Sequence, residues 1–173
     1  MIHALQTAIL FIFPVLVIVG GARDAVSYRI PNWISLALLA AFPLAALAGG
    51  ASLGLVGANL GAGAAALAVG MIFFALRWIG GGDAKLFAAA ALWLGWPPSV
   101  TYLIAVCLAG GALAMLLLAL RSAWVRPYVM SGPAWFVRLA EPGEGVPYGV
   151  AVAVGALAAF PAAPIARGLG APF

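Results

Sequence analysis

The chain has 173 residues, of which 66% are hydrophobic and only 7% charged, with a mean hydropathy of +1.19. Soluble domains are about 45–50% apolar, so these values exclude a soluble globular enzyme and mark a polytopic protein whose surroundings are the lipid bilayer. The net charge of +4 reads as membrane topology rather than as a nucleic-acid footprint, and one cysteine (Cys107) with one histidine (His3) supplies neither a disulfide framework nor a metal site.

Apolar runs bounded by Gly and Pro predict an all-α fold, a single transmembrane domain over residues 1–173 with about six spanning helices of ~20 residues each. The first run, residues 4–22, opens without Lys or Arg; it lacks the basic segment of a secretory signal and is expected to be a retained helix. The second, 33–48, follows a short polar loop, and the third, 53–76, carries GANLGAGAAALAVG, whose small residues at helical spacing favour close helix packing in lipid. Next comes a segment of only 11 residues, 84–94, ended by GWPPS. At 1.5 Å per residue it reaches ~17 Å, short of the ~30 Å hydrocarbon core, so it is expected to be a short helix, half-inserted or beginning deep in the protein at the GGGD run. The fifth run is 99–120, the sixth 146–166, and the remainder forms a tail.

Seven of the eight basic residues fall on one side of this map: Arg23 and Arg29 in the first loop, Arg77 and Lys85 around the third, Arg121, Arg126 and Arg138 in the fifth. The second and fourth loops have none. The positive-inside rule then puts the odd loops in the cytoplasm and the N-terminus outside, as expected in a bacterial inner membrane; Arg167, near the tail, is the exception.

The chain has four acids, Asp24, Asp83, Glu141 and Glu144. Both aspartates fall at helix ends on the cytoplasmic side, at similar depth. Carboxylates at membrane depth are costly and face a bundle interior or a cavity, so the pair is the candidate site. Two carboxylates sharing a site do not both ionise, and a pair holding one proton does general acid–base work on water without a cofactor. The same pair also suits a proton or cation site in a small transporter, though such a site belongs near the bilayer midplane between repeats, and no repeat is evident. A non-catalytic assembly protein of a pilus or secretion machine would need neither carboxylate.

Gly80, Gly81 and Gly82 are expected to take positive φ and let another chain approach Asp83. The plainer alternative is a turn, with Asp83 capping the helix that follows. Arg23 abuts Asp24 and would favour its ionised form. Lys85, two residues beyond Asp83, points about 200° away from it on a helix, which leaves it a headgroup anchor, a local support of the fold or a contact to the substrate backbone. Asn32 is expected to cap the second helix. The fifth loop, with three Arg and the aromatic residues Trp124, Tyr128, Trp135 and Phe136, is expected to lie at the headgroups or to serve as a lid; Glu141 and Glu144 are expected in a solvated turn.

GGGDAKLFAA (80–89) resembles the GxGD-x-K-L motif of the aspartic intramembrane peptidases that process type IV prepilins, with Gly81 at the variable position. DAVSYRIPNWI (24–34) resembles the family's other signature, an aspartate six residues before Ile-Pro-Asn, and VPYGVAVAVGAL (146–157) its final helix. The three occur in family order. The resemblance implies catalytic roles for Asp24 and Asp83, no cofactor and no metal. The implied substrate is a prepilin or pseudopilin cut between a short basic leader and an apolar helix. Paired CxxC motifs of the longer, bifunctional members are missing, which implies a peptidase-only enzyme of the short Flp (Tad) type, with archaeal preflagellin peptidases as a sister possibility.

Overall fold

The computed structural model describes residues 2–170. Among them there are helices and no strand: α1 (Ile2–Ser27), α2 (Asn32–Ala48), α3 (Leu53–Ala75), α4 (Gly81–Leu94), α5 (Pro98–Leu120), α6 (Arg126–Val129), α7 (Ala134–Leu139), α8 (Tyr148–Ala159) and α9 (Pro164–Gly168), with a 3-10 turn at Phe160–Ala162. The all-α reading stands. Three helices, α1, α3 and α5, are long and apolar enough to cross a membrane, whereas α2 and α8 with its 3-10 extension are apolar but shorter. About six spanning helices were expected, and three of the described helices meet that length and hydropathy.

The short segment after the glycines is the centre of the bundle. In α4, Ala84, Leu86 and every residue from Ala88 to Leu94 are buried, against α3 on one side and α2 and α8 on others. Small residues of α3 permit this contact: a Cβ on Gly63 would stand 3.0 Å from Leu92 Cβ, and one on Gly70 would stand 3.1 Å from Ala84 Cβ. Asn59, fully buried on α3, donates its amide to the Leu92 carbonyl at 2.8 Å. That bond occupies one of the carbonyls a helix leaves free at its C-terminus. Trp93 donates Nε1–H to the Leu38 carbonyl at 2.8 Å, and its ring lies 5.5 Å from that of Phe13 and 6.3 Å from that of Phe42. The far end of α4 is thereby tied to α1, α2 and α3.

Around this centre, α8 packs between α1 and α5. Outward faces of α3 and α5 stay apolar, with Met71, Ile72, Leu108, Met115 and Leu118 all exposed, as suits helices solvated by lipid rather than water.

Three boundaries differ from the sequence reading. Helix α1 runs on through Ser27 rather than ending near 22, which puts Asp24 on the helix itself. The run 146–166 is broken after Ala159, because Pro161 and Pro164 lack the N–H that would continue the ladder. The fifth loop contains the short helices α6 and α7, fastened by side chains: Arg121 donates to the carbonyls of Leu139 (3.0 Å) and Gly145 (2.9 Å).

Candidate active site

Asp24 sits near the C-terminal end of α1 and Asp83 in the first turn of α4. Both are buried, at 4% and 8% exposure. They line one cleft of about 630 Å³ with the Ile30–Asn32 segment and the three glycines.

Each carboxylate is held by a backbone amide. The Gly149 N–H, in the first turn of α8, donates to Asp24 Oδ2 at 2.7 Å. A helix N-terminus carries unpaired N–H groups and a partial positive charge, so it is a natural seat for a carboxylate. Room for the contact depends on the missing side chain: a Cβ on Gly149 would lie 2.8 Å from Asp24 Cβ and 2.7 Å from Ile30 Cδ1. Sequence reasoning gave Gly149 no role. A signal was available, since glycine opening an apolar helix costs about 0.5–1 kcal/mol of helix stability relative to alanine and so asks for a packing reason.

Asp83 is the third residue of α4, and its Oδ2 accepts the N–H of Gly80, the N-cap residue, at 3.0 Å. This is the return bond of a capping box. Its other oxygen, Oδ1, is buried with no hydrogen-bond partner. One oxygen thus serves the cap and the other is left without a partner.

The glycines do not act as expected. Gly80 has φ −74°, and the glycines with positive φ lie elsewhere, at Gly50, Gly95, Gly143 and Gly170. Gly82 faces the protein's own backbone, not open space: a Cβ there would stand 3.1 Å from Ile30 Cβ and 3.2 Å from its carbonyl oxygen. Its bareness lets the Ile30–Asn32 segment close against α4. A Cβ on Gly80 would meet Asp83 Oδ2 at 3.0 Å, while one on Gly81 would make ordinary contact with Phe74.

The remaining expected residues lie around the rim. Arg23 lines the cleft but is exposed, and it makes no ion pair with Asp24; the donor that Asp24 has is Gly149. Among the described residues the ion pair found is Arg138 Nε with Glu144 Oε1 at 3.0 Å, so Glu144 is engaged rather than free in solvent, whereas Glu141 is exposed. Lys85 donates Nζ–H to Asn32 Oδ1 at 3.0 Å, which joins α4 to the start of α2. Asn32 is thus the first helical residue and a partner of Lys85, and Pro31 holds the cap position expected of it.

Tyr28 closes the cleft beyond α1, its hydroxyl buried without a partner and its ring 5.0 Å from the Arg138 guanidinium. Burial pushes its phenol up from the ordinary value, so the group stays neutral and able to donate. Among the described residues no three His, Cys, Asp or Glu side chains come together to hold a metal.

No curated protein and no solved structure matches the chain. The family model of the type IV leader peptidases matches residues 11–115, a stretch that contains both aspartates and the glycine run that opens α4. With more than half of its length under that match, the chain belongs to the type IV leader peptidase family.

Proposed function

We propose that the chain is an aspartic endopeptidase that removes the short basic leader of type IV, Flp-like prepilins or pseudopilins, and that Asp24 and Asp83 activate the water. The observation that carries this reading is the convergence of the chain's two aspartates, 59 residues apart and both buried, on one cleft.

In the reaction the pair shares one proton. The ionised carboxylate takes a proton from water as the water oxygen bonds to the scissile carbonyl carbon, and the protonated carboxyl gives its proton to the carbonyl oxygen. The proton taken up first then passes to the leaving nitrogen as the C–N bond breaks, while one hydroxyl of the diol returns its proton to the other carboxylate, which releases the carboxylic acid and restores the pair. The Gly149 and Gly80 amides hold the carboxylates in place by one oxygen each, which leaves Asp83 Oδ1 free for the exchange. No cofactor enters this sequence.

The distribution of Lys and Arg supports an inner-membrane protein with its N-terminus outside and its aspartates at the cytoplasmic face. The absence of paired CxxC motifs supports a peptidase without methyltransferase activity. A transport site would call for carboxylates midway along spanning helices. Asp24 instead lies three residues from the end of α1, and Asp83 in the first turn of α4.

The test is co-expression in membranes of an epitope-tagged Flp-type prepilin with the wild-type chain, Asp24→Asn or Asp83→Asn. Wild type is expected to shorten the substrate, and each variant to lose ~10²-fold or more of that activity at equal enzyme levels. Cleavage by either variant at the wild-type rate would overturn the assignment.

A further inference from the structure

Two apolar grooves run along α4, one on each side of α3. The first, about 590 Å³, lies between α2 and α3, and at one end it meets Asn32 and Lys85, which are bonded to each other. The second lies between α3 and α5 in two lobes of about 540 and 320 Å³ that share Phe87 and Leu103. It exists because α3 packs on α4 while α5 packs on α8. Its α3 wall extends from Ala58 to Phe73, ~22 Å at 1.5 Å per residue, and much of that wall is Ala and Gly.

Asp83 separates the two grooves. It lines the second and not the first, and it also lines the cleft that holds Asp24. Ser99 and Tyr102, which also line the second groove, donate to the carbonyls of Ala91 and Phe87. Asp83 Oδ1, on a side chain only 8% exposed, has no such partner. The apolar groove and the reaction cleft thus share one wall residue, Asp83, whose Oδ1 is unpaired.

We infer, on the peptidase reading above, that the α3–α5 groove receives the apolar helix of the substrate, laid along α3 with its N-terminal end at Asp83. A helix fits better than a lipid chain. Small residues on α3 allow a second helix backbone to come close, which is how helices associate where lipid offers no hydrophobic gain. The groove's length matches about 15 residues of α-helix. Because Asp83 lines both the groove and the cleft, a helix that ends there places the residues preceding it beside the two aspartates.

Three glycines allow a test without disturbing the bundle, because a Cβ on Gly57, Gly61 or Gly111 meets nothing within 4 Å. Gly61 and Gly111 line the groove at different depths, while Gly57 lies on α3 outside it. Gly61→Phe and Gly111→Phe should each slow cleavage of a co-expressed Flp-type prepilin about tenfold, and Gly57→Phe should not. The chain's sole cysteine, Cys107, lines the groove and is exposed. Oxidation with copper phenanthroline should therefore cross-link it to a prepilin bearing one cysteine in its apolar helix. The double variant Cys107→Ser/Leu60→Cys, which moves the thiol to the α2–α3 groove, should give no such product.

Cleavage at the wild-type rate by both groove variants would overturn the groove alone and leave the peptidase reading intact, as would cross-linking through position 60 instead of 107. A wild-type chain that cuts no prepilin overturns both.

Discussion

The amide of Gly149 reaches the carboxylate of Asp24 across 125 residues of sequence and donates to it at 2.7 Å. Helix α8 thereby aims its N-terminus at a side chain on α1. Gly149→Ala would force a methyl to within 2.8 Å of Asp24 Cβ. Overpacking of this kind costs about 1–3 kcal/mol, and a reacting group displaced by ~1 Å loses ~10²-fold in rate. Initial cleavage rates, normalised to enzyme in the membrane, should fall about that far. A wild-type rate would remove Gly149 from the positioning of Asp24.

The divided carboxylate of Asp83 predicts that stability and activity can be separated at one position. Asp83→Asn keeps an oxygen for the Gly80 N–H, so its thermal midpoint in detergent should stay near that of wild type while cleavage is lost. Asp83→Ala loses the cap as well and should cost a further ~0.5–2 kcal/mol. Equal stability of the two variants would mean that the Gly80 bond contributes nothing.

Gly82→Ala tests what that glycine is for. Its methyl would press on Ile30 at 3.1–3.2 Å, so the Ile30–Asn32 segment must give way. The expected result is a loss of about 1 kcal/mol in stability, with faster proteolysis in the loop between α1 and α2. If access to the substrate were the issue, KM would rise with stability unchanged.

Asn59 is distant from the cleft and structural. Asn59→Ala leaves the Leu92 carbonyl without its donor and opens space in a buried wall. The cost should be about 1–3 kcal/mol by chemical denaturation in detergent. Cleavage by the fraction that stays folded should remain within a few-fold of wild type.

Much of this architecture is visible in the sequence, for a physical reason. Run length reports how much of a helix faces lipid, and the ends of α2, α3 and α5 fall within a residue or two of the apolar runs that predict them. The same measure fails where burial within protein replaces contact with lipid. Helix α4 is apolar because α2, α3 and α8 surround it, and its 14 residues need not match any membrane thickness. Both aspartates were legible because a carboxylate among so many apolar residues has few places to be. Gly149 was legible only as a glycine that an apolar helix would not choose, since its partner is set by a contact between α1 and α8 that no local periodicity encodes. Lys85 and Asn32 each suggested a separate local task, and only the packing of α4 against α2 reveals them as partners.

The clamp on the far end of α4 has a consequence for where Asp83 sits. Asn59 and Trp93 fix the C-terminal end of a helix that carries Asp83 at the other, about 15 Å away at 1.5 Å per residue. The helix works as a rod of fixed length, and the height of the carboxylate is gauged from its opposite end. One residue added between the clamp and Asp83 would turn that carboxylate by about 100° and raise it by about 1.5 Å, enough to carry it away from Asp24 with every side chain still present.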